Sequence, residues 1–370
     1  MFKNFSLEKL PINTREVFIK NVDTMLKCKD PKDGCTTFQC PKCSMLHTVP
    51  FSCKSRLCPS CGKAYSENWV IRNQNKLLNC PHRQLVFTIP IEFRRVIYKN
   101  NILLRLLTTA ISETINYHFY KQFKIVKPAF IVALHTFGRQ LNFNPHFHVI
   151  IAEGGFKDDL SFKKVTYFPF DFFRLSWQKQ FLDTIKTFFN THDDKRKVFK
   201  LINEAYKNQN NGFYVYADGK INDTKRALKY IGRYLSRPPI SLYNIIKYDG
   251  VYVTYRFHDH MSKKIETITL DAISFIGRIA YHTLPKGLQV ISRFGGYARN
   301  LGKFKEVISS FSLPKTLSSH SKRISYRELA IKTFNFDPLC CKRFSTTLEI
   351  IAIWHPNYGC IYNLMASKSG

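Results

Sequence analysis

Acidic residues are scarce in this chain of 370 residues. Asp and Glu number 26 against 57 Lys and Arg, a formal net charge of +31. A folded protein so poorly supplied with carboxylates repels itself unless an anion covers part of its surface. Long apolar runs are also missing: the greasiest stretch, Ile102 to Ile111, is broken by Arg105, which excludes a membrane-spanning helix of about 18 residues. The opening MFKNFSLEKL has no extended apolar core of the signal-peptide kind, so the cysteines are expected as thiols or metal ligands in a reducing cytosol. There is no internal repeat and no regular strand–helix alternation, which argues against a parallel α/β sheet.

What is present is a distributed basic surplus, suited to a phosphate backbone. It is not packed into one amphipathic helix, so a membrane surface is a poorer match. Hydrophobic residues make up 44% and aromatics 15%, with 32 Phe, enough for a sizeable core. Strand-like runs at Gln84–Pro90, Ala129–Thr136, His146–Ala152, Phe213–Tyr216, Val251–Phe257 and Glu266–Leu270 are mixed with helical patterns. The helical patterns cover residues 1–27, 62–79, 92–123, 171–191, 224–236 and 272–282. The expectation is an α+β fold with a central, largely antiparallel sheet flanked by helices and preceded by a small zinc-knuckle module.

Seven of the 11 cysteines lie between Cys28 and Cys61. Cys40-Pro-Lys-Cys43 and Cys58-Pro-Ser-Cys61 are two CxxC turns, 14 residues apart. Each aims two thiolates at one side of a tight loop, and two turns complete a tetrahedral S4 shell for structural Zn2+. Cys28, Cys35, Cys53 and His47 stay open between a second site, a substitute ligand and buried thiols. Lys54 and Arg56 on the connecting loop are expected to face phosphate.

In Asn144-Pro-His146-Phe147-His148-Val-Ile-Ile, strand alternation sends both imidazoles to one face and Phe147 to the other. A hairpin centred between residues 140 and 141 sets His135 opposite His146, so three imidazoles converge on a divalent-metal site. A satisfied core histidine is the competing reading of His135. In Thr224–Ser236, Ala227, Leu228, Ile231 and Leu235 form an apolar helical stripe. Tyr230 and Tyr234 lie together at its edge, with Arg226 and Arg233 just beyond and Arg237 following. Taken alone, two tyrosines at a core boundary read as snorkelling side chains. Beside a His-bound cation they become two phenols able to attack a phosphodiester.

These motifs, in this order, resemble the IS91-type (IS801/IS1294-like) transposases of the HUH endonuclease superfamily. CPKC…SCKSRLCPSCGKA is similar to their zinc-binding domain, LHTFGRQLNFNPHFHVIIAEGG to their His-hydrophobe-His segment and KYIGRYLSRPPIS to their two-tyrosine helix. LPKGLQVISRFGGYA is similar to a further block. The resemblance implies a metal-dependent enzyme that cleaves and rejoins single-stranded DNA at element ends. It would form 5′-phosphotyrosine links at Tyr230 and Tyr234 in rolling-circle-like transposition. His146 and His148, with His135, would hold Mg2+ or Mn2+; imidazole alone would suggest zinc. It also implies a place in the bacterial cytoplasm, at the nucleoid. Three parts are expected: residues 1–80 as a zinc-binding DNA-binding domain, 81–300 as the catalytic domain and 301–370 as a basic segment. In the last, DPLCCKRF has Phe344 where family members often carry the second Cys of a knuckle. Two other readings use the same residues. One is a rolling-circle replication initiator or relaxase; the other is a zinc-ribbon regulator that only binds nucleic acid and leaves the His and Tyr pairs idle.

Overall fold

The structure, a computed structural model, describes residues 5–55, 57–73, 76–235, 238–259, 262–312 and 324–364. Elements follow in chain order. Helix α1 (Ile12–Leu26) leads to strands β1 (Cys35–Gln39) and β2 (Leu46–Pro50), then helix α2 (Pro59–Asn73) and strand β3 (His82–Thr88). Helices α3 (Ile91–Lys99) and α4 (Leu103–Phe123) precede strands β4 (Lys127–Phe137), β5 (Phe143–Phe156) and β6 (Phe162–Lys164). Next come α5 (Phe170–Phe189), α6 (Lys195–Asn208), β7 (Val215–Ile221) and α7 (Thr224–Leu235). Strands β8 (Ile245–Tyr248), β9 (Tyr252–His258) and β10 (Ile265–Asp271) are followed by α8 (Ala272–Ala280), β11 (Ile291–Gly295) and α9 (Lys305–Phe311). Helix α10 (Tyr326–Phe334) and strands β12 (Glu349–His355) and β13 (Gly359–Asn363) complete the order.

The chain divides into two compact units, and the division differs from the three consecutive parts expected. One unit is Met1–Val17, Val70–Leu235 and Pro239–His320; the other is Phe18–Trp69, Ser236–Pro238 and Ser321–Gly370. The C-terminal segment is thus part of the cysteine-rich unit, because β12 pairs with β1 along Cys35↔Trp354 to Gln39↔Glu349.

In the larger unit a six-stranded antiparallel sheet runs β11-β4-β5-β3-β7, with β6 beside β5. Alternation along its central strands sends Leu85, Phe87, Phe130, Val132, Leu134, Phe147, Val149 and Ile151 to one side. There they join Phe93, Ile97, Leu107, Ile111, Phe119, Trp177 and Phe181 from α3, α4 and α5 in one buried cluster. Phe147 and Phe87 are fully buried, each in a position where deletion to Ala would cost about 3–5 kcal/mol. A three-stranded sheet, β10-β9-β8, packs Val253, Tyr255 and Phe257 against Ala272 and Phe275 of α8. The expected helix over 92–123 is two helices: the chain leaves helical geometry at Asn100 (φ −120°, ψ 64°), which caps α3 by donating its N–H to Val96. The strand expected at Phe213–Tyr216 starts two residues later and runs to Ile221, where β7 pairs with β3.

Candidate active site and metal centres

On the sheet face opposite Phe147, the histidines meet. Strand β4 is registered on β5 with His135 opposite His146 and Ala133 opposite His148, the pairing that the hairpin arithmetic requires. His135 and His148 are 6% and 7% exposed, and His146 is half-buried. One nitrogen from each lies within 4.8 Å of the others, and among the described residues no carboxylate joins them. His135 Nδ1 is 3.1 Å from His146 Nε2, close to the edge of an octahedron whose bonds are about 2.1 Å. His146 Nδ1 is 2.7 Å from the Asn144 carbonyl. A carbonyl only accepts, so Nδ1 carries the ring proton and Nε2 presents its lone pair to the cluster. Burial, together with the nearby positive charge of Arg94, lowers the His146 pKa, which keeps the ring neutral and able to ligate.

Helix α7 packs across this face, against β4, β5 and β7. Ala227, Leu228 and Ile231 are fully buried on its inner stripe; the side chain of Leu235 lies outside the described set. The tyrosines at the stripe's edge point at the histidines. Tyr230 Oη is 2.8 Å from His148 Nδ1, and the Tyr234 ring stacks on the His148 ring at 3.6 Å and 12°. Tyr234 also meets His135 edge-on at 5.3 Å, and the two phenol rings are 5.3 Å apart. Arg226 and Arg233 are exposed, with the Arg233 guanidinium 5.3 Å from the centre of the Tyr230 ring; Arg237 lies outside the described residues. One residue was missed by the sequence reading. Arg94 on α3 is half-buried, and its charge is felt at His146. Nothing in its local sequence distinguishes it from its neighbour Arg95.

The cysteines group otherwise than expected. The single S4 shell of Cys40, Cys43, Cys58 and Cys61 is not formed, and the two CxxC turns belong to separate clusters. Cys58 and Cys61 gather with Cys28 and Cys53, while Cys40 and Cys43 gather with Cys341. The physical reason is that β1 and β2 carry the first turn on a ribbon. The second turn opens α2, where Cys28, just past α1, and Cys53 are the nearer thiols. Cys35 and His47 join neither cluster among the described residues. In the first cluster Cys28–Cys61 and Cys53–Cys61 are 3.6 Å apart and Cys28–Cys58 3.8 Å. Tetrahedral zinc with Zn–S bonds of about 2.3 Å needs sulfurs about 3.8 Å apart, so the set fits the ion. A disulfide, at about 2.05 Å, is excluded. Backbone N–H groups of Cys53 and Ser55 donate to the Cys28 and Cys53 sulfurs. Burial raises the Cys53 and Cys61 pKa values, so packed together these thiols need a dication to ionise. The Thr346 hydroxyl, 3.3 Å from Cys40, lowers that thiol to about 6. Lys54 is exposed with φ 55° on the loop after Cys53; Arg56 lies outside the described residues.

Comparison with known proteins gives this geometry a family. A family model for the IS91 "Transposase zinc-binding domain" matches residues 3–89, and a second, Y2_Tnp, described as "Putative transposase", matches residues 129–303. The chain belongs to the IS91-type transposases. It is 24% identical over 344 residues to the transposase for insertion sequence element IS801 of Pseudomonas savastanoi pv. phaseolicola, covering 88% of this chain and 82% of that one. It is 25% identical over 353 residues to "Putative transposase y4qJ" of Sinorhizobium fredii (strain NBRC 101917 / NGR234), covering 87% of each. No solved structure matches. Among the three readings of the sequence, the family selects the transposase, with DNA as its substrate and structural zinc in its N-terminal domain. No helix among the described residues is long and apolar enough to cross a membrane.

Proposed function

We propose that the chain is a single-strand DNA endonuclease and strand transferase of the HUH type, working through 5′-phosphotyrosine intermediates in rolling-circle-like transposition. The observation that carries this reading is the contact between α7 and the histidine cluster, above all Tyr230 Oη at 2.8 Å from His148 Nδ1. A phenol is a weak nucleophile toward phosphorus unless its oxygen is held in line and the phosphate charge is relieved. Tyr230 and Tyr234 both set their rings against His148, so either can reach one phosphodiester.

In the step proposed, Tyr Oη bonds to phosphorus and the bond from phosphorus to the 3′ oxygen breaks. The phenol proton is lost and the departing 3′ oxygen gains one. The products are a 5′-phosphotyrosine and a free 3′-hydroxyl. A second tyrosine allows one to stay linked to DNA while the other attacks, and reversal at a new 3′-hydroxyl joins strands. His135, His146 and His148 would hold a divalent cation, Mg2+ or Mn2+, which when bound would draw charge from a non-bridging oxygen. An all-nitrogen donor set matches Mn2+ better than the oxygen-seeking Mg2+. Were Nε2 turned to that cation, His148 would carry its proton on Nδ1 and donate it to the Tyr230 oxygen, which would favour the phenolate. Arg94, Arg226 and Arg233 would bind flanking phosphates, as would Lys54, Arg56 and Arg237. In the cysteine-rich unit, Cys28, Cys53, Cys58 and Cys61 would hold the structural Zn2+. Action on the nucleoid in the bacterial cytoplasm belongs to the same proposal.

The test is a denaturing gel of purified protein with end-labelled single-stranded DNA carrying an element end, with Mn2+, with Mg2+ and with neither. The expected result is a metal-dependent covalent adduct and a product ending in a 3′-hydroxyl. Binding without any adduct in all three conditions would overturn the reading in favour of a binding protein.

A further inference from the structure

The cluster of Cys40, Cys43 and Cys341 is built from two turns of one design. Cys40-Pro-Lys-Cys43-Ser44-Met45 is closed by the Ser44 N–H donating to Cys40 O at 2.9 Å and the Cys40 N–H donating to Met45 O at 3.0 Å. Ser44 takes φ 55°. Cys341-Lys-Arg-Phe344-Ser345-Thr346 repeats this. The Ser345 N–H donates to Cys341 O at 2.8 Å, the Cys341 N–H donates to Thr346 O at 2.9 Å, and Ser345 takes φ 51°. Even the flanking pairs correspond, Gln39↔Leu46 around the first turn and Cys340↔Thr347 around the second. Position for position, Phe344 stands where the first turn has Cys43.

Side-chain placement agrees with the backbone. Cys40 and Cys341 are buried at 0% and 1% exposure, Cys43 Sγ is 3.8 Å from Cys341 Sγ, and their ligand atoms all lie within 4.8 Å. That sulfur separation is the one tetrahedral zinc imposes at Zn–S bonds of about 2.3 Å. Phe344, by contrast, is 43% exposed, so its ring is turned outward and does not fill the fourth corner. Cys43, only half-buried, marks the side on which solvent reaches the cluster.

We propose that Cys40, Cys43 and Cys341 hold a second Zn2+, through three thiolates and a water molecule in the corner that Phe344 leaves open. The chain then carries two zinc ions, and the second ties the turn at residue 341 to the turn at residue 40, across some 300 residues of sequence, within one unit. This is independent of the strand-transfer reading, because it concerns metal content and not DNA chemistry.

The test counts zinc per chain by elemental mass spectrometry on purified, desalted full-length protein. Wild type should carry two equivalents, Cys341→Ser one, and Cys58→Ser one. One equivalent in wild type that Cys341→Ser leaves unchanged overturns the proposal, and so do two equivalents retained in Cys341→Ser. Should Cys341→Ser not fold, Phe344→Cys decides. A fourth thiol in the open corner should leave the count at two and slow chelator extraction of one zinc on the order of tenfold. Extraction rates identical to wild type would count against the site.

Discussion

The histidine cluster and the two cysteine clusters are all sets of three or four converging donors, yet opposite forces hold them in place. His135, His146 and His148 stand on neighbouring strands whose other face is buried under three helices, with Phe147, Val149 and Leu134 locked in a continuous aromatic and aliphatic core. Strand register and the packing of that far face set their positions. The cysteine-rich unit has far less to hold it. Among the described residues, the apolar cluster around Cys40 and Cys341 adds only Leu348 as a buried member, and strands β1, β12 and β13 are intermediate or exposed along their length. There the metal takes the part that the core takes in the sheet. A site built on packing can be emptied and stay folded, whereas a site that replaces packing cannot.

The sharpest way to break that contrast is to strip the metal. Chelation should remove stabilisation on the order of 10 kcal/mol from the cysteine-rich unit. Amides of β1, β2 and β12 should then exchange with solvent while those of β3, β4 and β5 stay protected. Hydrogen exchange read by mass spectrometry checks this, and equal protection of both sets in zinc-free protein would erase the distinction.

Next in size is the chemistry the rigid site is built for. Replacing both Tyr230 and Tyr234 with Phe keeps the rings and the stacking on His148 but removes both nucleophilic oxygens. Covalent adduct formation should fall by a factor of about ten thousand or more, some 5 kcal/mol of barrier. Each single Phe variant should retain cleavage of a short strand and lose complete strand transfer. An adduct surviving in the double variant would move the nucleophile elsewhere, with Tyr214 or Tyr243 to be tried first.

Two neighbouring residues on β5 then separate site from scaffold. Phe147→Ala should cost about 3–5 kcal/mol in thermal or denaturant unfolding. His146→Ala should change stability by less than about 1 kcal/mol while abolishing metal-dependent cleavage, with salt-sensitive DNA binding retained. His135→Ala tests the third ligand in the same assay, since wild-type cleavage there would return His135 to the core.

The smallest effect is in pH. Burial lowers His82 and His118 to about 4 in the folded unit. A histidine depressed in this way favours the folded state fully above its unfolded value near 6.5, and loses that contribution as pH falls toward 4. Unfolding scans should therefore show stability dropping between pH 6.5 and 4, by roughly 3 kcal/mol or less for each ring. His118 sits among Phe119, Phe123, Phe172 and Phe173, with neither ring nitrogen hydrogen-bonded among the described residues. His118→Phe should flatten part of the slope, and an unchanged slope would place its origin in other groups.

The sequence by itself determined whatever depends on neighbours in the chain. Period-two alternation around Phe147 put His146 and His148 on one face, and the short turn near residue 140 fixed His135 opposite His146. A spacing of four in α7 set Tyr230 beside Tyr234, and the CxxC turns announced thiolate sites. These are consequences of backbone periods, which a local reading can follow. Tertiary structure decided the partnerships that cross long stretches of chain. Which thiols share an ion depends on β12 lying against β1, a pairing over some 300 residues that no local spacing encodes. Hence Cys58 and Cys61 went to Cys28 and Cys53, Cys40 and Cys43 met Cys341, and the segment after residue 320 became part of the cysteine-rich unit. The same holds for α7: its stripe showed that it must pack, but only the sheet it packs on brought the Tyr230 hydroxyl to 2.8 Å from His148. Local periodicity says which face a side chain takes, while the identity of what it meets there is set by which distant surfaces bury their apolar area together.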